Sequence, residues 1–288
     1  MKTFAAVDMG SNAIRVHICH LLHTPKGHQF KTVEYLRIPL RLGEDVFTTG
    51  SISSEKIEKL VLLGQGLMNF FKLYEVTEYL ACATSAMREA NNSAAVVKEI
   101  QDRSGFNIQV IDGETEAEYT QSALNSFISE GACLHIDVGG GSTEINLYQD
   151  KVKMASRSFK IGAVRMLMKE EVQKTKAEML NWVIENAPKG GQFQSIGTGG
   201  NIGKIYEMAK IGQHKPISIE QIKDTIAFIS GYSVADRINI LKLNPDRADV
   251  IVPSADIYLS VMEAVEATSM IVPKVGLSDG MLEIMATR

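Results

Sequence analysis

Hydrophobic positions at the start of the chain arrive in two rhythms. Residues 3–8 form a short apolar run, and from residue 14 the apolar Ile14, Val16 and Ile18 alternate with Arg15, His17 and Cys19. A period of two marks a half-buried strand. With 29–40, which carries Val33 and Tyr35, the pattern predicts a three-stranded antiparallel meander, with a tight turn at Gly10, Ser11 and Asn12 and a loop at 41–45. Helical spacing then takes over. Ile57, Leu60, Val61, Leu67, Met68 and Phe71 form one stripe of a helix from Ser53 or Ser54 to residue 74. A strand at 78–83, a helix opened by Asn92 or Ser93, a strand at 107–111 and a helix at 114–128 complete a βββαβαβα order.

The second half restarts the same plan. Strands are expected at 133–137, 144–148 and 151–160, helices at 163–170 and 176–186, and a strand at 194–196 that ends in the small residues 197–201. Helices at 202–210, 219–230, 234–240, 254–270 and 278–288 follow. Residues 4–19 and 133–148 align without a gap, so that Asp137 lies 129 positions (137 − 8) after Asp8. Each copy is one supersecondary unit, and two copies imply two related domains. The pattern therefore predicts an α/β chain with a duplicated domain.

Composition narrows the class without changing it. A chain of 288 residues suits about two domains of roughly 100 to 200 residues each. No apolar run approaches the roughly 18 residues of a membrane span, and the start does not read as a signal peptide, so a cytoplasmic protein is expected. Net charge of −4 and a pI of 5.9 argue against a nucleic-acid partner. Cys19, Cys82 and Cys133 are odd in number, lack paired spacing and read as core residues. His17, His20, His23, His28, His135 and His214 show no metal-binding spacing.

Chemistry enters at the turns. Small residues let backbone N–H groups approach an anion, and Ser11, Asn12, Ser142 and Thr143 add further donors. Asp8 or Asp137, at the end of the preceding strand, suits Mg²⁺, which prefers hard oxygen ligands and bound phosphates. A hairpin that needs glycine for dihedral reasons alone is the competing explanation; duplication and the third small-residue loop at 197–201 weigh against it. Residues 111–118 concentrate carboxylates where a strand enters a helix. A Glu there could orient water against phosphorus, or the residues could be a helix start, with Thr115 and Glu118 as a capping box. Arg88 follows a strand and a small-residue turn, in reach of phosphate oxygens or simply at the surface. Arg41, Lys160 and Arg165 are further local cations.

Taken in order, Asp8-Met9-Gly10-Ser11-Asn12, Ala83-Thr84-Ser85-Ala86-Met87-Arg88, the Ile-x-Gly-x-x-Glu-Ala element at 111–117, Asp137-Val138-Gly139-Gly140-Gly141-Ser142-Thr143-Glu144 and Gly197-Thr198-Gly199-Gly200 resemble the exopolyphosphatase and guanosine pentaphosphate phosphatase family. The resemblance covers essentially the whole chain. It implies two actin-like ATPase (ribonuclease H-like) domains with a cleft between them, at 1–126 plus 278–288 and at 127–277. It also implies the family's short form, without an additional helical domain, and a homodimer.

The same resemblance implies Mg²⁺-dependent release of terminal phosphate from polyphosphate or guanosine pentaphosphate. Glu116 would be catalytic with Arg88. Gly10, Ser11, Asn12, Gly139, Gly140, Gly141, Ser142, Thr143 and Gly199 would bind phosphate, and Asp137, Glu144 and Asp8 would lie at the metal. The chain departs from the family's pattern at Thr115 and Glu118, where a Glu and an Arg are usual. Two alternatives stand beside this reading: a sensor that binds guanosine tetraphosphate or polyphosphate without turnover, and an ATP-dependent kinase with an adenosine pocket around residues 197–206.

Overall fold

A computed structural model describes residues 2–25, 27–167, 169–188, 193–212 and 215–288. It divides into two compact units, Met1–Ala123 with Gly276–Arg288, and Leu124–Val275. No helix among the described residues is long and apolar enough to cross a membrane.

The first unit begins with β1 (Lys2–Met9), β2 (Ile14–Thr24) and β3 (Gly27–Ile38), an antiparallel meander. Helices α1 (Leu42–Thr49) and α2 (Ser54–Leu73) lead to β4 (Glu78–Ala83), which pairs parallel with β1. Then come α3 (Ser85–Glu89), α4 (Ser93–Ser104), the short β5 (Gln109–Val110) and α5 (Gly113–Leu124). The sheet order is β3-β2-β1-β4-β5.

Alternation in β1 and β2 gives this sheet two faces. Ala5, Val7, Met9, Ile14, Val16 and Ile18 pack with Leu60, Val61, Leu67 and Phe71 of α2 and Val96 and Ile100 of α4. Phe4, Ala6, Cys19, Leu80 and Cys82 face a helix from the far end of the chain, which carries Leu277, Met281, Leu282 and Met285. Full burial of each Val, Leu, Ile, Phe or Met among them is worth about 1.5–3 kcal/mol.

The second unit repeats the plan with β6 (Ala132–Val138), β7 (Thr143–Gln149) and β8 (Val152–Phe159). A 3₁₀ turn (Arg165–Leu167), α6 (Lys169–Asn186), β9 (Gln194–Thr198) and α7 (Gly200–Met208) follow. The rest is β10 (Ile217–Ser218), α8 (Ile219–Ser230), α9 (Val234–Asn239), α10 (Pro245–Ala248), α11 (Ile251–Ala264) and β11 (Ser269–Ile271); α12 (Leu277–Thr287) completes the first unit. The strand order β8-β7-β6-β9 mirrors β3-β2-β1-β4, and β11 and β10 extend it. Leu134, Ile136, Ile145 and Leu147 face the main core, while Cys133, Tyr148 and Ile196 face a smaller cluster with Leu124 and Ile128.

Several elements differ from the sequence expectation. The segment read as a loop at 41–45 enters α1, because Leu42 and Val46 are drawn into the core despite the turn-like Gly43, Glu44 and Asp45. The turn after β4 is a helix, α3. Two expected helices at 163–170 and 176–186 become a 3₁₀ turn and the single α6, with Met168 outside the described residues. The expected helix at 254–270 starts earlier and gives up its end to β11, where Met270 is fully buried beside β9.

Candidate active site

In the first unit, the turn after β1 is tied to α3. Ser11 Oγ lies 2.7 Å from Ser85 Oγ, with both residues buried, and Gly43 N donates to Ser11 O at 2.8 Å. The beginning of α1 thus backs the turn, which explains a helix where the sequence suggested a loop. Asn12 O accepts from Arg41 N at 2.9 Å.

Three residues beyond Ser85, Arg88 turns toward α5. Its Nη1 donates to Ile111 O at 2.8 Å and to Glu116 Oε2 at 3.3 Å, and the two side chains are only 26% and 15% exposed. The turn of α5 that presents Glu116 is closed by Asp112, whose Oδ1 accepts from Thr115 N at 2.8 Å. Asp112 is therefore the cap. The expected box of Thr115 and Glu118 does not open the helix, since both lie inside it. The first turn, α3 and α5, which the sequence offers as separate motifs, are joined by these contacts.

Asp8 points across the strand pair to Arg15, with Nη1 2.7 Å from Oδ2. In the second unit the corresponding cross-strand pair is Asp137 and Glu144. Glu144 is buried and accepts from Ser158 Oγ at 2.8 Å. Asp137 also lies opposite Thr198 of β9, and a Cβ at Gly199 would come within 3.4 Å of Asp137 Oδ1. Gly199 has φ of 117°, and its Cβ would also stand 2.9 Å from Val138 O and from Tyr258 Oη. No side chain fits there.

The turn of Gly139, Gly140, Gly141, Ser142 and Thr143 is braced from behind. Carbonyls of Gly139 and Gly140 accept from Ala163 N at 2.9 Å and Val164 N at 2.8 Å, Gly141 O accepts from Arg165 Nε at 2.9 Å, and Thr143 Oγ1 donates to Ile161 O at 2.6 Å. A Cβ at Gly162 would meet Gly140 C and O at 2.7 Å. Among the described residues, positive φ in glycine occurs at Gly27, Gly50, Gly105, Gly131 and Gly199. A dihedral requirement therefore does not account for Gly10 or for Gly139, Gly140 and Gly141.

Sequence reasoning passed over two groups beside this turn. Tyr258 of α11 is fully buried, its hydroxyl donating to Thr198 O and accepting from Val138 N at 3.2 Å, so it stitches the ends of β6 and β9 together. His135 is also fully buried, and burial pushes its pKa down to about 3. Neither belongs to a motif that would have marked it. His214 lies outside the described residues.

Among the described residues no group of three or more His, Cys, Asp or Glu encloses a metal position. The facing carboxylates of Asp137 and Glu144 nevertheless suit Mg²⁺, which takes one or two protein carboxylates and completes its shell with water and phosphate. Like charges directly across a strand pair are otherwise destabilising.

Comparison with known proteins places this geometry. The model of the Ppx/GppA phosphatase family matches residues 22–288. Exopolyphosphatase 1 of Mycobacterium tuberculosis is 24% identical over 298 aligned positions, covering 96% of this chain and 86% of the relative. The guanosine-5'-triphosphate,3'-diphosphate pyrophosphatase of Aliivibrio fischeri is also 24% identical, over 96% of this chain and 58% of the relative. The fold is that of an exopolyphosphatase from Cytophaga hutchinsonii (TM-score 0.82, 21% identity, 99% and 98% of the two chains) and of a family member from Aquifex aeolicus (0.78, 23%, 100% and 99%). With the family model matching all of the chain after its first 21 residues, the chain belongs to the Ppx/GppA phosphatase family.

Proposed function

We propose that the protein hydrolyses the terminal phosphoanhydride of inorganic polyphosphate or of guanosine pentaphosphate, with Mg²⁺. The observation that carries this reading is the Arg88–Glu116 pair, held where α3 and α5 join the first turn.

In this mechanism Glu116, fixed by Arg88, aligns a water with the terminal phosphorus and takes its proton. The water oxygen bonds to phosphorus, the bridging P–O bond breaks, and inorganic phosphate leaves with a chain one phosphate shorter. The remaining donors of Arg88 meet charge on the transferring group. Gly10, Ser11 and Asn12 in the first unit, and Gly139, Gly140, Gly141, Ser142 and Thr143 in the second, are each suited to contact phosphate. In the latter turn Gly139 N donates to Ser142 O while the carbonyls of the three glycines are engaged from behind, so the amides of Gly140 and Gly141 form the side offered to an anion. Gly199 keeps the end of β9 open to close approach.

Asp137 and Glu144 would hold Mg²⁺, which when bound offsets charge on the phosphoryl oxygens. Asp8, clamped by Arg15, serves the shape of the first turn.

Phosphate release from long polyphosphate, short polyphosphate and guanosine pentaphosphate, with and without Mg²⁺, tests the reading. Glu116→Gln should lower kcat by about 10²–10⁴-fold. Full activity in that variant would remove Glu116 from the chemistry, and no release from any of the three substrates would sink the hydrolase reading.

A further inference from the structure

A line of hydrogen-bonded side chains, starting at the exposed Ser156 and buried from Asn146 onward, crosses four strands of the second unit. Ser156 Oγ donates to Asn146 Oδ1 at 2.6 Å, Asn146 Nδ2 lies 3.0 Å from His135 Nδ1, and His135 Nε2 lies 2.9 Å from Thr198 Oγ1. Its direction follows from the orientation of the Asn146 amide, whose nitrogen faces the ring and whose oxygen faces Ser156. An amide nitrogen only donates, so His135 Nδ1 accepts; a neutral imidazole whose Nδ1 accepts carries its proton on Nε2. That proton goes to Thr198 Oγ1. Thr198, with its oxygen already accepting, is left to donate its own proton onward.

Thr198 and Asp137 are paired across β9 and β6, and Asp137 is paired in turn with Glu144. We propose that the chain from Ser156 through Asn146 and His135 is a one-way relay that makes the Thr198 hydroxyl a fixed donor toward Asp137, so that His135 and Thr198 are positioning residues for that carboxylate. The inference rests on the reading of Asp137 as a site residue.

Two observations separate the relay from ordinary filling of a sheet. The first unit lacks it: Asp8 is paired with Cys82 where Asp137 is paired with Thr198, and Ala6 holds the place of His135. The relay therefore stands only beside the pair of carboxylates. In addition, the Thr198 carbonyl accepts from Tyr258, which also bonds Val138 N. The backbone beneath the hydroxyl is thus pinned from α11, as an oriented donor requires. Groups of this kind behind a ligating carboxylate typically matter by about 10–100-fold in metal affinity or activity.

Nitrogen-15 spectra of the histidines in the full chain test the relay without turnover. The expected result is the Nε2–H tautomer at His135; an Nδ1–H tautomer overturns the proposal. Mg²⁺ titration by calorimetry and steady-state kinetics supply the second arm. Thr198→Val and His135→Leu should each weaken Mg²⁺ affinity or kcat by about 10–100-fold, and the double variant should be no worse than either alone. Thr198→Ser and His135→Gln, which keep the donors, should restore most of the loss.

Thermal unfolding identifies any variant that fails to fold, and Thr198→Val, the mildest change, then decides. A folded Thr198→Val with wild-type Mg²⁺ affinity and wild-type kcat overturns the relay, as does a Thr198→Ser that loses as much as Thr198→Val. A wild-type protein that hydrolyses no phosphoanhydride sinks the proposed function alone, since the tautomer and the Mg²⁺ affinities still decide the relay.

Discussion

At one position of the repeat the first unit places Arg15 and the second Glu144, each across the strand pair from an aspartate. In the first unit the result is an ion pair at 2.7 Å. In the second, two acidic residues are paired across the strands, which is destabilising unless their charge is offset. The same backbone is thus used once to brace a turn and, in the function proposed above, once to hold a cation. Duplication supplied the scaffold, and a reversal of charge at one residue separated the roles.

The largest test of this contrast is to give the second copy the first copy's arginine. Glu144→Arg should leave the fold intact by pairing with Asp137, yet lower Mg²⁺-dependent phosphate release by at least about 10³-fold; unchanged activity would remove Glu144 from the metal site. The reciprocal change, Arg15→Glu, leaves the buried Asp8 facing a like charge and should cost about 3–5 kcal/mol in chemical denaturation. Gly199→Ala should cost about 1–3 kcal/mol through crowding against Tyr258 and Val138, whereas Ala83→Gly, at the matching place in the first sheet, should cost only about 1 kcal/mol.

The cysteines provide the smallest effect. Burial raises the thiols of Cys19 and Cys133 to about 11 and that of Cys82 to about 12. All three therefore stay protonated at pH 8 in the folded chain. A thiol reagent should leave native protein unmodified at that pH and label all three in denaturant. Rapid native labelling of Cys82 alone would show that the surroundings of Asp8 are more open than the pairing with Arg15 implies.

Periodic segments were legible from the chain because their patterns persist: β1, β2, α2 and α8 follow from spacing alone. Element α1 did not, since Gly43, Glu44 and Asp45 read locally as a turn and only burial of Leu42 and Val46 makes them helical. Motif order likewise pointed to Arg88 and Glu116 as separate candidates. Their meeting depends on α3, five residues long, and on the Asp112 cap, neither of which leaves a periodic trace. Asn92 shows the same limit: its place before α4 was readable, but its side chain bonds the backbone of Ile52 instead of capping the helix. Tyr258 and His135 could not be assigned, because their partners lie 60 and 63 residues away along the chain.

Gly280 of α12 approaches Tyr119 of α5 so closely that a Cβ there would stand 1.7 Å from the Tyr119 carbonyl. The first unit therefore has a seat for a helix that is synthesised only after all of Leu124–Val275. On the ribosome, the second unit can close as soon as its own continuous stretch emerges, while Phe4, Ala6 and Leu80 await residues 277–285 to cover them. The half of the protein translated first is the half completed last.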